Sequence, residues 1–190
     1  MSTVSGLLLV GGESRRMGRD KATLEFEGQP LWQRQLGVLH AVGPQAFFVS
    51  ARTAPPWLPD DVELLLDDPP SRGPLSGLAK ALAVMRTTHL LALAVDMPFM
   101  TGAVLSGLWG QAREGQGVIP VIRGRAEPLA AIYPAELAPD FAAALNGNDF
   151  SLQSIVRTLA GKERLRLVPV RAEDEQLYRS VNEPHDLATG

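Results

Sequence analysis

The segment that follows the first apolar run of the sequence combines backbone freedom with positive charge. Gly11 and Gly12 are adjacent, and Arg15, Arg16 and Lys21 follow them closely. Adjacent glycines let the backbone turn sharply and present consecutive amides to an anion, and guanidinium and ammonium groups bind phosphate oxygens. The spacing is not that of a P-loop, in which the lysine directly follows a glycine. The segment therefore predicts a triphosphate-binding site, with a solvated glycine-rich turn as the alternative.

A single aspartate stands directly after another apolar run and is a candidate metal ligand. The run over residues 90–95 leads straight into Asp96. If this run is a buried parallel strand, Asp96 lies at the carboxyl edge of the sheet, where such sheets bind ligands. Carboxylate oxygens suit Mg²⁺, which takes one or two protein oxygens and adds phosphates and water. The alternative, that Asp96 caps the next predicted helix, is weaker because Thr101 is better placed to do so.

Short apolar runs indicate the strands that would place these residues. The first four runs show no alternation of polar and apolar residues, which is typical of strands covered on both faces. The predicted strands are residues 6–10, 46–50, 62–66, 89–95, 117–121, 129–133 and 165–170.

Stretches with helical periodicity separate these runs. Leu31, Gln35 and Leu39 fall on one face of the first, and Ser151 and Gly161 are the expected N-cap and C-cap of the last. The predicted helices are residues 31–42, 75–85, 103–112, 135–145 and 151–159. Alternating strands and helices predict an α/β fold, with a mostly parallel, Rossmann-like sheet that carries helices on both faces.

Composition restricts the class of protein. The chain has 190 residues, a formal net charge of −3 and no cysteine. This length fits a single domain over residues 1–190, and the lack of cysteine excludes disulfides and thiolate metal sites. The modest charge does not favour nucleic-acid binding, and no apolar run approaches the ~20 residues of a transmembrane helix. No signal peptide is recognisable, so we expect a cytoplasmic protein that binds neither nucleic acid nor membrane.

Several segments resemble, in order, the motifs of the MobA-like nucleotidyltransferases, a family that includes the molybdenum cofactor guanylyltransferases. Residues 9–21 are similar to L-A-G-G-x-x-x-R-M-G-x-D-K, except that Val10 replaces the alanine. Residues 73–77 resemble G-P-L-x-G, and residues 96–99 resemble D-x-P-F/Y. The later motifs P-L-x-A-x-Y and N-x-P-x-D-L resemble residues 128–133 and 182–187.

The resemblance implies Mg²⁺ as cofactor, GTP as nucleotide substrate and molybdopterin as acceptor. The nucleotide-binding residues that it implies are Leu9, Val10, Gly11, Gly12, Arg15, Lys21, Ser50, Asp67 and Asp96. The catalytic residues that it implies are Lys21, Asp96 and Arg16, and the Mg²⁺ ligands are Asp96 and Asn182. The spacing before the second motif favours Asp67 as the aspartate that meets the nucleotide, with the adjacent Asp68 as the alternative.

The implied reaction is transfer of GMP from GTP to the phosphate of molybdopterin, with release of pyrophosphate. Cofactor-delivery proteins and molybdoenzymes are the implied protein partners, and a monomer is the default expectation. Arg123 and Arg125 lie in a predicted turn, where they either meet the acceptor's phosphate or are simply solvated. Three alternatives stay open: a molybdopterin cytidylyltransferase, a sugar-phosphate nucleotidyltransferase on the same fold, and a non-catalytic nucleotide-binding module.

Overall fold

A computed structural model describes residues 2–10 and 21–181 of the chain. Its strands are β1 (Val4–Leu9), β2 (Glu25–Phe26), β3 (Gln29–Pro30), β4 (Phe47–Ala51), β5 (Glu63–Leu66), β6 (His89–Ala94), β7 (Gly117–Ile122), β8 (Arg125–Ala126), β9 (Ala130–Pro134) and β10 (Leu165–Pro169). Its α-helices are α1 (Leu31–His40), α2 (Pro74–Val84), α3 (Gly102–Trp109), α4 (Ala138–Leu145) and α5 (Leu152–Gly161). Short 3₁₀ helices cover Lys21–Thr23, Ala135–Leu137 and Ala172–Tyr178. Every predicted strand and helix is present, with small differences at the ends.

The strands form one large sheet in the order β10-β7-β9-β6-β1-β4-β5, with β8 paired to β7 and β2–β3 forming a separate hairpin. The pairs β1–β4, β1–β6, β4–β5 and β7–β10 are parallel. β9 runs antiparallel to both β6 and β7, between which it is inserted. The prediction of a mostly parallel sheet is therefore confirmed, with β9 as a reversed strand that the sequence pattern does not reveal.

Two hydrophobic cores lie on opposite faces of this sheet. Successive side chains of a strand point to opposite faces. Leu8 accordingly packs in one core with Leu36 and Leu39 of α1, and Leu7 in the other with Leu78 of α2. All of these leucines are buried, and burial of each contributes about 1.5–3 kcal/mol to folding. Helices cover both faces, as predicted, and the continuous burial of β1 and β6 follows from this double coverage.

The ends of two helices agree with the predicted caps, and a third expectation is off by one residue. The Thr101 hydroxyl accepts a hydrogen bond from the Val104 amide, and the Ser151 side chain caps α5 in the same way. Gly161 was expected to be the C-cap of α5, but it is the last helical residue, and Lys162 takes the cap position. Among residues 2–10 and 21–181, no helix is long and apolar enough to cross a membrane.

The register of the central strands brings their carboxyl ends to one edge. Leu9 at the end of β1 is paired with Ser50 of β4 and with Ala94 of β6. The pairing continues past the strand ends, because the Val10 amide donates to the Ser50 carbonyl and the Val95 amide to the Leu9 carbonyl, both at 3.0 Å. The residues that follow β1 and β6 therefore emerge side by side.

Candidate active site

The structure describes some of the predicted site residues, and others lie outside the described residues. Leu9, Val10, Lys21, Ser50, Asp67 and Asp96 belong to the described part. The candidates that lie outside it are Gly11, Gly12, Arg15, Arg16 and Asn182. Lys21 and Asp96, which the chain separates widely, are brought into contact at the carboxyl edge of the sheet.

Lys21 and Asp96 form a half-buried ion pair. Lys21 begins the first 3₁₀ helix, and its Nζ donates to Asp96 Oδ2 at 3.5 Å and to the Val181 carbonyl at 3.3 Å. The Lys21 and Asp96 side chains are only 19% and 25% exposed. The Val181 amide donates to the Asp96 carbonyl at 2.8 Å. The contacts of Lys21 and Asp96 therefore bring together three parts of the chain, which are the segment after β1, the segment after β6 and the segment at Val181.

Burial raises the pKa of the Asp96 carboxyl above its ordinary value, although the Lys21 ammonium opposes this shift. A raised pKa means that the ionised carboxylate is not fully compensated by the groups around it. Further positive charge next to Asp96 would therefore stabilise the ionised form.

Helix α1 holds the backbone that follows Asp96. The Arg34 Nε donates to the Pro98 carbonyl at 2.7 Å, and the Gln35 Nε2 donates to the Met97 carbonyl. Gln35 is fully buried on the apolar face of the helix. The helical periodicity alone places Gln35 in that apolar stripe and does not indicate this role. An amide at a core position is itself a signal, because buried polar groups are normally hydrogen-bonded.

Asp67, rather than Asp68, faces the edge of the sheet. The Asp67 carboxylate accepts hydrogen bonds from the Ser50 hydroxyl at 3.3 Å and from the Ser71 hydroxyl at 2.6 Å. The Asp68 side chain is 88% exposed and pairs with Lys80 at 3.2 Å. Asp67 and Ser71 line a cavity of about 340 Å³ beside the end of β4. Asp67 as the nucleotide contact stays a prediction, and its hydrogen bond with Ser50 at the end of β4 supports it.

Gly77, the last residue of the second motif, allows close packing of α2 on the sheet. A Cβ added to Gly77 would lie 2.3 Å from Ser50 Oγ and 2.7 Å from Leu9 Cδ2. Leu9 and Ser50 are both buried, so their side chains have no free space into which they could move. The absence of a side chain at Gly77 therefore leaves room for Ser50, whose hydroxyl donates to Asp67.

Asp96 lines a second cavity, together with residues that follow β7. Its volume is about 410 Å³, within the range of small-molecule sites. Arg125 lines this cavity, whereas the Arg123 side chain is 83% exposed and pairs with Glu175 at 2.8 Å. Glu127 also lines it, and burial raises the pKa of the Glu127 carboxyl, with the Asp96 charge as a lesser cause. Glu127 was not among the predicted site residues, although it stands directly before the Pro128 motif.

Comparison with known proteins identifies the family. A family model described as the MobA-like NTP transferase domain matches residues 6–165. A probable molybdenum cofactor guanylyltransferase from Opitutus terrae is 35% identical over 188 residues, which cover 97% of this chain and 93% of that protein. A molybdenum cofactor guanylyltransferase from Cereibacter sphaeroides is 33% identical over 191 residues, with 96% and 93% covered.

Solved structures share the fold. The molybdopterin-guanine dinucleotide biosynthesis protein A of Archaeoglobus fulgidus superposes with a TM-score of 0.69 at 24% identity, over 97% of this chain and 95% of that one. A nucleotidyl transferase from Methanothermobacter superposes with a TM-score of 0.77 at 17% identity, over 98% and 94%. At these identities the structural likeness establishes the architecture, and the sequence matches establish the kinship. The resemblance drawn from the motifs is confirmed, and the chain belongs to the family of MobA-like nucleotidyltransferases.

Proposed function

We propose that this protein transfers GMP from GTP to the terminal phosphate of molybdopterin, forming the guanine dinucleotide cofactor and releasing pyrophosphate. The observation that carries the proposal is the Lys21–Asp96 pair, which lies at the carboxyl edge of the sheet with a cavity at its side. Molybdenum cofactor guanylyltransferases that are 33–35% identical over nearly the whole chain support the choice of substrates.

The nucleotide is assigned to the side of the sheet edge formed by β1 and β4. Lys21 would bind the triphosphate together with Gly11, Gly12, Arg15 and Arg16, which lie outside the described residues. Consecutive backbone amides and cationic side chains are suited to polyphosphate. Leu9, Val10, Ser50 and Asp67 are the proposed contacts of the nucleoside, and they cluster at the ends of the same two strands and the adjoining loop.

The residues around Asp96 fit a Mg²⁺ ion. In the described part of the chain, no group of three or more His, Cys, Asp or Glu side chains is placed to hold a metal. A site with few protein ligands suits Mg²⁺, which keeps waters and binds substrate phosphates. We propose Asp96 and Asn182 as its ligands; Asn182 lies outside the described residues and directly follows Val181, whose amide hydrogen-bonds to Asp96. When bound, the ion would neutralise charge on the phosphates.

The proposed chemistry is an in-line displacement at the α-phosphorus of GTP. An oxygen of the acceptor's phosphate forms a bond to the α-phosphorus, and the bond from that phosphorus to the bridging oxygen of pyrophosphate breaks. Two negative charges about 4 Å apart repel each other by about 4 kcal/mol at an effective dielectric constant of ~20. Lys21 and Arg16 would offset this repulsion, so they are the proposed catalytic residues beside Asp96. A phosphate nucleophile is already ionised at neutral pH, so no general base is needed.

The acceptor is assigned to the cavity beside Asp96. This cavity adjoins the end of β6 on the side of β7–β9, away from β4. Arg125 is the cation at its wall that would bind the acceptor's phosphate, whereas Arg123 is directed to Glu175. The proposal also places the protein in the cytoplasm as a monomer, with cofactor-delivery proteins and molybdoenzymes as its partners.

The test is Mg²⁺-dependent release of pyrophosphate with molybdopterin as acceptor, compared for GTP, CTP and ATP. We expect release with GTP and little with the other two. Release with CTP in preference to GTP would make the protein a cytidylyltransferase with the same mechanism. Release only with a sugar phosphate as acceptor would reject molybdopterin. Binding of GTP without release with any acceptor would favour a non-catalytic nucleotide-binding module.

A further inference from the structure

Glu127 presents a carboxylate to the cavity that we assign to the acceptor. None of the roles proposed above uses this group, and a carboxylate is a poor neighbour for a phosphate unless it has a partner of its own. Glu127 is nevertheless held there by several contacts. Its amide donates to the Pro120 carbonyl at 2.8 Å, and one carboxylate oxygen, Oε1, accepts from the Leu129 amide at 3.2 Å.

The surroundings of Glu127 are fixed from three directions. The Leu129 carbonyl accepts from the Ala94 amide at 2.8 Å, which ties the segment to the end of β6. The buried Tyr133 hydroxyl donates to the Pro128 carbonyl at 2.7 Å. The side-chain Nε2 of Gln153 donates to the Ala126 carbonyl at 2.8 Å. A carboxylate anchored in this way is preorganised to select a ligand by hydrogen-bond geometry.

The hydrogen-bonding capacity of Glu127 is only partly used. The second oxygen, Oε2, accepts no hydrogen bond from the described residues, and Oε1 retains a lone pair beside the Leu129 contact. The remaining wall combines apolar residues, among them Ile122, Leu129 and Leu152, with the polar residues Asp96, Arg125, Gln153 and Ser180. The cavity therefore offers two carboxylate oxygens at one point, and apolar surface covers part of the wall around them. A flat heterocycle with two adjacent N–H donors on one edge matches this arrangement.

We propose that Glu127 recognises the aminopyrimidinone edge of the acceptor's ring, accepting one hydrogen bond from the exocyclic amino group and one from the adjacent ring N–H. This inference rests on the proposed function, since it assumes that the acceptor carries a pterin. A carboxylate that accepts two parallel N–H bonds provides a strong and geometrically specific contact. A site built to bind such donors strongly rejects an analogue that lacks one, because its buried acceptor is then left unpaired.

The probes for the test are 6-hydroxymethylpterin and 6-hydroxymethyllumazine, two rings that differ in one group. The lumazine has a carbonyl oxygen in place of the 2-amino group, so an acceptor faces the carboxylate where the pterin has a donor. Binding of each fluorescent ring to the full chain is measured without GTP. We expect the wild-type protein to bind the pterin about tenfold or more tightly than the lumazine. In Glu127→Gln, whose amide can donate to the lumazine carbonyl, we expect this preference to fall below about threefold.

The matched control is Glu114→Gln, which changes an exposed glutamate in the turn before β7 and should keep the wild-type preference. A wild-type protein that binds the two rings equally, or binds neither at millimolar concentration, would overturn the inference. Glu127→Gln with an unchanged preference would overturn it as well. A large rise in the Mg²⁺ concentration needed for half-maximal turnover of Glu127→Gln would instead make Glu127 a metal ligand.

The proposed reaction and the proposed role of Glu127 can be rejected independently of each other. Ring preference measured without GTP does not depend on turnover, so a protein that discriminates the rings but releases no pyrophosphate contradicts the proposed reaction and supports the recognition role of Glu127. Turnover of molybdopterin with no ring preference supports the reaction and rejects that role.

Discussion

Replacement of Gly77 by alanine separates two effects of opposite sign. Gly77 lies within α2, where alanine is favoured over glycine by up to ~1 kcal/mol. The new methyl group would lie 2.3 Å from Ser50 Oγ, 2.7 Å from Leu9 Cδ2 and 2.8 Å from Ser50 Cβ. All three contacts are with buried residues of the central strands, so the helix or the sheet must shift. Overpacking of this kind costs about 1–3 kcal/mol, and the clash therefore outweighs the gain in helix propensity.

After the propensity gain is subtracted, the expected net loss is up to about 2 kcal/mol, which lowers the Tm of a domain of this size by up to roughly 8 °C. Because Ser50 donates to Asp67, displacement of Ser50 should also raise the KM for GTP several-fold. Thermal denaturation and steady-state kinetics measure the two effects. The control is Gly37→Ala in α1, where a Cβ meets nothing within 4 Å and only the propensity gain of up to ~1 kcal/mol remains. Gly77→Ala that melts at or above the wild-type temperature would refute the reasoning.

Three further substitutions test the neighbourhood of Asp96. Lys21→Ala should lower kcat by roughly 10²-fold, as expected when one preorganised charge contact is lost, and an unchanged rate would remove Lys21 from the catalytic set. Gln35→Leu removes the donor to the Met97 carbonyl, so we expect a loss of roughly tenfold or more in kcat from misplacement of Asp96; an unaltered kcat would contradict this positioning role. Asp96→Asn should raise the Tm at pH 7. Burial raises the pKa of Asp96 in the folded protein, so at a pH above the pKa of the unfolded state the ionised carboxylate lowers the stability of the fold, and asparagine removes that charge. The gain in Tm should shrink as the pH falls towards 3.8, the ordinary pKa of an aspartate. A variant with a lower Tm than the wild-type protein at pH 7 would contradict this prediction.

The fold was largely predictable because its strands are buried on both faces. β1 and β6 are buried along their whole length and end in apolar runs, and each leads directly into a segment that suggests chemistry. Thr101 and Ser151 could be identified as caps from residue type alone. The reversal of β9 could not be predicted, because the five buried residues of Ala130–Pro134 have the same pattern in either direction.

The candidate site was only partly predictable, for a different reason. Asp96 and Lys21 were selected from their positions after strands, but their contact joins residues 75 positions apart. The contact of Lys21 with the Val181 carbonyl spans 160 positions, and it uses a backbone group that carries no sequence signal. Glu127 was overlooked because a glutamate before a strand is usually solvated, and only the packed structure shows that it lines a cavity.

The most direct test of the central claim is to follow the phosphates of GTP individually. The wild-type protein is incubated with molybdopterin, Mg²⁺ and GTP labelled with ³²P at either the α- or the γ-position. If GMP is transferred, the α-label appears in the pterin product and the γ-label appears in pyrophosphate, and Asp96→Asn abolishes both. Transfer of the γ-label to the acceptor, or α-label in the product at undiminished rate in Asp96→Asn, would contradict the account.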